Sequence, residues 1–224
     1  MKILLIQNNP TKNKFENFEK FKNILKNINF EIDFVVLPEL WTTGYNLEPY
    51  DIQSEYENSE IILGISKLSK EKETYILAGS LFYKENENYY NRAFLFNRKG
   101  EIIGYYSKIK LFKPLNEHMI FKPGEKIGIF ETEFGKIGVM ICYDLRFPEI
   151  ARKITYEGAK IIFVPSEWPL IRIEHFKTLI KARAIENQLF VIGINRYGNE
   201  NGNTFGGNSL VVSPRGEIII DMGI

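Results

Sequence analysis

Short apolar runs and helically spaced apolar residues alternate along the chain, starting at its first residues. Residues 2–7 are a brief apolar run that ends at polar residues, which is typical of a buried strand. Residues 13–28 carry apolar side chains at helical spacing, with Lys, Glu and Asn between them, and they predict an amphipathic helix. The apolar run 34–37 predicts a second buried strand, which ends at Pro38-Glu39.

The rest of the chain continues this alternation. Helices are predicted over 57–70, 148–157 and 173–187. Strands are predicted over 75–83, 89–97, 101–106, 127–130, 136–141, 160–164 and 189–194, followed by a hairpin over 207–221. Helices that alternate with apolar strands indicate an α/β fold, with mixed sheets covered by helices on at least one face. No repeat or linker divides the chain, so we expect one domain over residues 1–224.

Charge and composition narrow the class of protein. The chain has 29 basic and 28 acidic side chains, a net charge of +1, so we expect neither a nucleic acid nor a membrane as its partner. No apolar stretch approaches the roughly 18 residues of a membrane span. One cysteine forms no internal disulfide, which fits a reducing compartment, and we expect a cytoplasmic protein. One Cys and two His do not make a Cys-rich zinc site, so no metal is expected.

Polar residues follow three of the predicted strands directly. They are Glu39, Cys142 and the segment Ser166-Glu167-Trp168. In open α/β sheets, reactive groups collect at the carboxyl ends of the strands. We therefore expect these three segments to contribute to one functional site.

Cys142 lies between an apolar strand and a predicted helix. Such a turn exposes a nucleophile and aims backbone N–H groups at a reacting carbonyl, although a lone cysteine is more often a small buried apolar residue. A nucleophilic cysteine needs a base. His118 and His175 are candidates, but neither follows a strand. Glu39 is the alternative, provided that burial raises its pKa toward neutrality; it is otherwise an ordinary loop acid.

A lysine is the third candidate. The segment from Tyr105 to Phe112 places Lys108 and Lys110 on one face of an extended segment, with Ile109 on the other. A cation near a tetrahedral intermediate stabilises its oxyanion. The alternative is a pair of solvated lysines on an edge strand.

Three segments that contain these residues resemble the motifs of the nitrilase superfamily of carbon–nitrogen hydrolases. They are Leu37-Pro38-Glu39-Leu40-Trp41-Thr42-Thr43-Gly44-Tyr45, Tyr106-Ser107-Lys108-Ile109-Lys110-Leu111-Phe112 and Ile141-Cys142-Tyr143-Asp144-Leu145-Arg146-Phe147-Pro148-Glu149. Their order and spacing match as well, and the resemblance covers nearly the whole chain. It implies an αββα sandwich that forms four layers.

The resemblance also implies a role for each of five residues. Glu39 is expected to be the general base, Lys108 the lysine that stabilises the oxyanion and donates a proton, and Cys142 the nucleophile. The backbone N–H of Tyr143 is expected to be a second oxyanion donor, and Glu117 the glutamate that supports the lysine and the substrate. The implied reaction attacks an amide carbon, releases ammonia and hydrolyses a thioester with water activated by Glu39. It requires no metal or organic cofactor.

The segments 166–169 and 172–187 most resemble the ω-amidase branch, whose members hydrolyse the terminal amide of 2-oxo-acid amides such as 2-oxoglutaramate. Arg146 and Arg172 are candidates to hold a substrate carboxylate, or are surface charges. Trp168 is a candidate wall of the pocket, or a core aromatic residue. Other possible functions are an N-carbamoyl amidase, another amidase of the superfamily, a catalytically silent scaffold, or a histidine-dependent thiol hydrolase.

Two positions depart from the pattern of the superfamily. Lys110 stands where relatives often have histidine, which changes the contacts around the site. Relatives usually continue beyond the position of Ile224 with a further strand and tail that contribute to dimer packing, and without that segment the sequence leaves open whether the chain forms a homodimer.

Overall fold

The computed structural model describes residues 1–224. The strands of the first half of the chain are β1 (Ile3–Leu5), β2 (Phe34–Val36), β3 (Tyr75–Leu77), β4 (Leu81–Glu85), β5 (Asn88–Phe96) and β6 (Ile102–Ser107). Those of the second half are β7 (Gly128–Thr132), β8 (Gly135–Val139), β9 (Ile161–Ser166), β10 (Phe190–Asn195), β11 (Tyr197–Glu200), β12 (Asn203–Gly206), β13 (Leu210–Val212) and β14 (Ile218–Asp221).

The helices are α1 (Lys14–Lys26), α2 (Tyr50–Gln53), α3 (Glu60–Glu71), α4 (Glu117–Ile120), α5 (Pro148–Tyr156) and α6 (Ile173–Asn187). Helix α1 begins at Asn13, whose side chain accepts hydrogen bonds from the backbone N–H groups of Phe15 and Glu16. No helix of the protein is both long enough and apolar enough to span a membrane.

Twelve of the fourteen strands form two mixed six-stranded sheets, and β11 and β12 form a separate two-stranded sheet. The order in the first sheet is β1-β2-β3-β5-β4, and β6 pairs with β5. The order in the second is β14-β13-β10-β9-β8-β7. Strands β1, β2 and β3 run parallel to one another, as do β8, β9 and β10, and antiparallel strands extend each sheet. The polar residues Glu39, Cys142 and Glu167 follow the carboxyl ends of β2, β8 and β9, which belong to these parallel parts of the sheets.

The two sheets pack face to face, and helices cover their outer faces. Phe34 of the first sheet stacks on Phe163 of the second, with 5.8 Å between ring centroids. This inner core also extends to residues of α5 and α6 beneath the second sheet. A separate cluster joins α1 and α3 to the first sheet, and it includes Phe21 and Ile65. The resulting layers are helix, sheet, sheet and helix, which confirms the αββα sandwich.

The structure corrects the predicted strand over 75–83. The chain forms two strands there, β3 and β4, which are separated at Gly79. Gly79 has a φ of +50°, and a Cβ atom at this position would lie 1.8 Å from the carbonyl oxygen of Pro38. The close passage of two backbones therefore interrupts a segment that is apolar throughout.

The prediction of an extended segment through Lys108 and Lys110 is also wrong, because β6 ends at Ser107. The backbone N–H of Lys110 donates a hydrogen bond to Asp144 Oδ1 at 2.7 Å, and this contact holds the chain beyond the strand. As a result the two lysines do not share a face. Lys108 is buried, whereas Lys110 Nζ lies 4.8 Å from the centroid of the half-buried Phe147 ring.

Candidate active site

The structure brings Glu39, Lys108 and Cys142 together at one cavity between the two halves of the sandwich. Glu39 follows β2, Lys108 follows β6, and Cys142 lies beyond the end of β8. Lys108 and Cys142 line the cavity, and Glu39 contacts Lys108 from behind. These positions agree with the expectation that polar groups at strand ends would meet.

Glu39 is fully buried, and both of its carboxylate oxygens accept hydrogen bonds. Oε1 accepts from Lys108 Nζ at 2.7 Å and from Asn91 Nδ2 at 2.8 Å. Oε2 accepts from the backbone N–H of Glu167 at 2.9 Å. These contacts fix the carboxylate in one orientation beside the thiol, which is the geometry that a base for Cys142 requires.

Lys108 bridges two carboxylates. Its Nζ donates to Glu39 Oε1 and, at 2.8 Å, to Glu117 Oε1, and none of the three side chains is exposed. Glu117 begins the short helix α4 and also accepts a hydrogen bond from the Tyr45 hydroxyl. Burial alone would lower the pKa of Lys108, but the Glu117 and Glu39 carboxylates raise it well above its ordinary value. The site therefore holds a permanent cation.

Cys142 begins a 3₁₀ turn, Cys142–Arg146, that precedes α5. Its φ of +43° lies in the left-handed region, which non-glycine residues rarely adopt and which is concentrated at functional sites. Burial raises the pKa of the thiol well above its ordinary value, and the Glu39 carboxylate adds to this, while Lys108 opposes it. The resting group is thus a thiol, and it needs a base at the moment of attack.

Asp144 ties the turn of the cysteine to the segment of the lysine. Its Oδ2 accepts from the Tyr106 hydroxyl at 2.7 Å and from the backbone N–H of Ile141 at 3.0 Å, while Oδ1 accepts from the backbone N–H of Lys110. Tyr106 and Lys110, which lie two positions before and two positions after Lys108, thus both donate to a carboxylate of the 3₁₀ turn. This arrangement fixes Lys108 and Cys142 relative to each other.

The cavity in front of Cys142 is narrow, with a volume of about 40 Å³. Its walls include the aromatic residues Tyr45, Phe112, Tyr143, Trp168 and Phe205. Trp168 is 3% exposed and also packs on Phe176 of α6, with 5.5 Å between ring centroids. Both interpretations of Trp168 therefore hold, because it belongs to the core and forms a wall of the cavity. Only a small substrate fits into this space.

Two arginines line the outer part of the same cavity, and both are partly exposed. The Arg146 guanidinium lies 5.0 Å from the centroid of the Trp168 ring and contacts His175 Nδ1 at 3.1 Å. The Arg172 guanidinium lies 5.7 Å from the centroid of the Phe112 ring. The cavity therefore has Lys108 and Glu167 among its buried residues and two arginine cations among its partly exposed ones.

The histidines do not reach Cys142. His118 lies on α4 and His175 on α6, both are exposed, and neither lines the cavity. The hypothesis of a histidine-dependent thiol hydrolase is therefore wrong. No group of three or more His, Cys, Asp or Glu side chains has the arrangement of a metal site.

Sequence reasoning missed the residues that support the site from outside the three motifs. Asn91 holds Glu39, and Arg196 donates to Glu167 Oε1 at 3.1 Å and to Glu200 Oε2 at 2.9 Å. Glu200 belongs to the unpredicted hairpin β11–β12, which contributes Asn203 and Phe205 to the cavity wall. The sequence did contain a signal for Arg196. It directly follows β10, a strand of the parallel part of the second sheet, as Cys142 and Glu167 follow β8 and β9.

Comparison with known proteins agrees with this arrangement. The family model described as carbon-nitrogen hydrolase matches residues 2–223. The chain is 38% identical to a 2-oxoglutaramate amidase of Bacillus subtilis over 208 residues, which are 93% of this chain and 80% of that protein. It is 34% identical to an omega-amidase of Escherichia coli over 189 residues, which are 84% of this chain and 71% of that protein.

A solved structure shows the same fold. It is that of a CN-hydrolase superfamily protein from Xanthomonas campestris, which carries an arsenic adduct in its active site. The TM-score is 0.91 with 28% sequence identity, and the match covers 99% of this chain and 85% of that one.

Proposed function

Because the chain belongs to the carbon–nitrogen hydrolase family, we propose that it hydrolyses the terminal carboxamide of small 2-oxo acids, with Glu39, Lys108 and Cys142 as its catalytic residues. The observation that carries this proposal is the buried contact of Lys108 Nζ with two carboxylates beside the only thiol of the chain. A thiol, a base and a cation at one cavity are the groups that acyl transfer through a thioester requires.

The first half of the reaction forms the thioester. Glu39 takes the proton of the Cys142 thiol while Sγ attacks the amide carbon. Negative charge develops on the amide oxygen, and Lys108 Nζ and the backbone N–H of Tyr143 stabilise it. The C–N bond then breaks as the nitrogen takes up the proton that Glu39 received from the thiol, and ammonia leaves. Lys108 keeps its own charge throughout, because two carboxylates hold it, so the proposal differs here from the expectation that Lys108 donates a proton.

In the second half, Glu39 takes a proton from a water molecule as its oxygen attacks the thioester carbon. The S–C bond then breaks, and Cys142 Sγ receives that proton from Glu39 and leaves as the thiol. The products are a carboxylic acid and the free enzyme. The charged groups Glu39, Lys108 and Glu117 are buried and fixed before substrate arrives, so they stabilise the transition state without reorganising.

The outer end of the cavity supports an anionic substrate. The amide end of an ω-amide would face Cys142, while its carboxylate would face Arg146 and Arg172. Arg172 is the better candidate to bind the carboxylate, because Arg146 already contacts His175. The similarity to a 2-oxoglutaramate amidase and an omega-amidase points to the same class of substrate.

Ammonia release from a panel of amides tests the proposal. The panel contains 2-oxoglutaramate, succinamate, neutral aliphatic amides and N-carbamoyl amino acids, and carbon dioxide is measured in parallel. We expect turnover of the anionic ω-amides and none in Cys142→Ala, whose fold is checked by circular dichroism. Ammonia release by Cys142→Ala, or carbon dioxide as the main product, would contradict the proposal.

The proposal extends to assembly and location. A homodimer is supported by the edge strand β14, where Ile218, Ile219 and Ile220 are 46%, 55% and 47% exposed. Light scattering after size exclusion, repeated with lysines at two of these positions, tests the homodimer.

A cytoplasmic location is supported by the single cysteine, which is free and belongs to the site. One domain is supported by the family match over residues 2–223.

A further inference from the structure

Two arginines at the outer part of the cavity have no acidic partner in the protein. The arginines that form ion pairs are Arg92, Arg98, Arg183 and Arg196. Arg146 and Arg172 line the cavity and are not among them, so their charges remain available to an anionic ligand. They lie on different segments, Arg146 at the end of the turn that begins with Cys142 and Arg172 at the end of a second 3₁₀ turn, Leu170–Arg172.

One side chain contacts both of these segments. The Arg146 guanidinium lies over the indole ring of Trp168, 5.0 Å from the ring centroid. The indole Nε1 donates a hydrogen bond to the backbone carbonyl of Arg172 at 2.8 Å. This bond closes the chain from Trp168 to Arg172, and α6 begins directly afterwards at Ile173. Trp168 is thus the common support of both cations.

Trp168 is itself anchored to the second sheet. Its backbone N–H donates to Asn195 Oδ1 at 2.6 Å, and its carbonyl accepts from Asn195 Nδ2 at 3.0 Å. Asn195 is the last residue of β10, and Phe176 of α6 packs against the indole. The backbone, the ring and the N–H group of Trp168 all have fixed contacts. The segment that carries Arg172 is therefore held relative to the sheet.

We propose that Trp168 is a positioning residue that determines specificity, because its indole N–H holds Arg172 where the guanidinium binds the carboxylate of the substrate. This inference rests on the proposed hydrolysis of anionic ω-amides. A cation that is in place before the substrate arrives loses little freedom on binding, which favours affinity. Cys142 lines the same cavity, so a fixed Arg172 also fixes the place of the carboxylate relative to the thiol.

Trp168→Phe tests the role of the N–H group. Phenylalanine keeps an aromatic ring for Arg146 and removes the donor to the Arg172 carbonyl. We expect the KM for succinamate to rise about five- to tenfold relative to the KM for butyramide, which has no carboxylate. The kcat for succinamate should change less than about threefold, because a carboxylate contact stabilises the ground state and the transition state alike.

A double-mutant cycle separates positioning from a general loss of packing. Arg172→Met removes the guanidinium that the indole is proposed to hold. If Trp168 acts through Arg172, adding Trp168→Phe to Arg172→Met should raise the KM ratio of succinamate to butyramide by less than about twofold more. Independent effects of the two substitutions would multiply instead.

Trp41→Phe is the matched control. Trp41 is the other tryptophan of the chain, and it is also buried. Its Nε1 likewise donates to a backbone carbonyl, that of Ala78 at 3.0 Å, but it does not line the cavity. The substitution removes the same kind of bond and should leave the KM ratio of the two amides unchanged. Circular dichroism establishes that each variant is folded.

Binding of succinate, the product of succinamate hydrolysis, gives the same comparison without turnover. Calorimetry should show about five- to tenfold weaker binding in Trp168→Phe, and little further loss when this change is added to Arg172→Met. An equal rise of both KM values in Trp168→Phe, multiplied losses in the double variant, or a wild-type protein that does not bind succinate would overturn the assignment. Failure of the proposed function looks different, because the wild-type protein then binds succinate and releases no ammonia from either amide.

Discussion

Lys108 Nζ lies 2.7 Å from Glu39 Oε1, and neither side chain has any exposed surface. Glu117 Oε1 lies 2.8 Å from the same nitrogen, so one ammonium group balances two carboxylates away from water. Removing the ammonium would leave both negative charges uncompensated in a buried site, where no solvent replaces it. We therefore expect Lys108 to stabilise the fold, in addition to the role in catalysis that we propose for it.

Substitution of Lys108 by methionine is expected to reduce both activity and stability. Loss of the oxyanion partner should lower kcat at least 100-fold, and breaking the buried ion pairs should cost roughly 3–5 kcal/mol of unfolding free energy. Ammonia release and urea unfolding measure the two effects. Lys110→Met is the matched control, because Lys110 Nζ faces the Phe147 ring and neither carboxylate. Equal effects of the two substitutions would show that Lys108 has no special role.

Substitution of Glu39 by glutamine is expected to let the Cys142 thiol ionise at lower pH and nevertheless to reduce the rate of ammonia release. The ionised carboxylate raises the pKa of Cys142 by disfavouring a second negative charge, so a neutral amide at this position should lower it. Alkylation by iodoacetamide, followed by mass spectrometry across pH, should then begin at lower pH than in the wild-type protein. Ammonia release should fall roughly 100- to 10,000-fold, because no base takes the thiol proton. An alkylation profile that moves to higher pH would contradict this picture.

The positions of the reactive groups were predictable because they follow the strands of the parallel sheets. Glu39, Cys142 and Glu167 were all expected at strand ends. Cys142 and Glu167 line one cavity, and Glu39 contacts Lys108 behind its wall. Their electrostatic surroundings were not predictable. Glu167 pairs with Arg196, 29 residues later in the chain, and no local pattern encodes that contact. Only the folded chain shows which carboxylate has a cation and which oxygen has no partner.

Helix α1 over Lys14–Lys26 was predictable for a similar reason, since the helical spacing of its apolar residues is a local property. The break at Gly79 depends instead on Pro38, which is distant in sequence and lies against it in the fold. The hairpin β11–β12 was missed because Tyr197–Glu200 and Asn203–Gly206 are mostly polar and lack the alternation of a half-buried strand. Tertiary contacts, rather than local pattern, decide such elements.

Gly79→Ala is expected to destabilise the protein by roughly 2–5 kcal/mol, the sum of strain at positive φ and of overpacking. The added Cβ would lie 1.8 Å from Pro38 O and 2.6 Å from Leu37 O, directly before Glu39. Activity should fall as well, because the backbone that carries the base must shift. Gly135→Ala is the control, with a φ of +94° and no atom within 4 Å of the new Cβ. It should cost only about 1–2 kcal/mol by urea unfolding.

Arg172→Met is expected to raise the KM for succinamate by roughly 10- to 100-fold, the effect of losing one charge-assisted hydrogen bond. The KM for butyramide, which has no carboxylate, should change less than twofold. Arg152→Met provides the control, because Arg152 donates to the carbonyl of Glu186 and does not line the cavity. Equal changes for the charged and the neutral amide would show that Arg172 shapes the cavity without binding the carboxylate.

Asp144 is expected to make the stability of the protein depend on pH near neutrality. Burial raises its pKa from 3.8 to about 6, although the backbone N–H of Ile141 and the Tyr106 hydroxyl act in the opposite direction. A raised pKa means that the folded state holds the proton more tightly than the unfolded state does. The stabilisation from this proton is therefore complete below about pH 4 and is lost as the pH rises through about 6.

The difference between 3.8 and about 6 corresponds to roughly 3 kcal/mol. Asp144→Asn removes the titration, so the unfolding free energy of the wild-type protein minus that of the variant should fall by about this amount between pH 4 and pH 7.5. Urea unfolding at both pH values measures it, and all other titrating groups cancel in the subtraction. Because asparagine keeps only one acceptor oxygen for the contacts with Ile141 and Lys110, the variant should also lose activity at every pH. A difference that stays constant with pH would show that Asp144 does not titrate in this range.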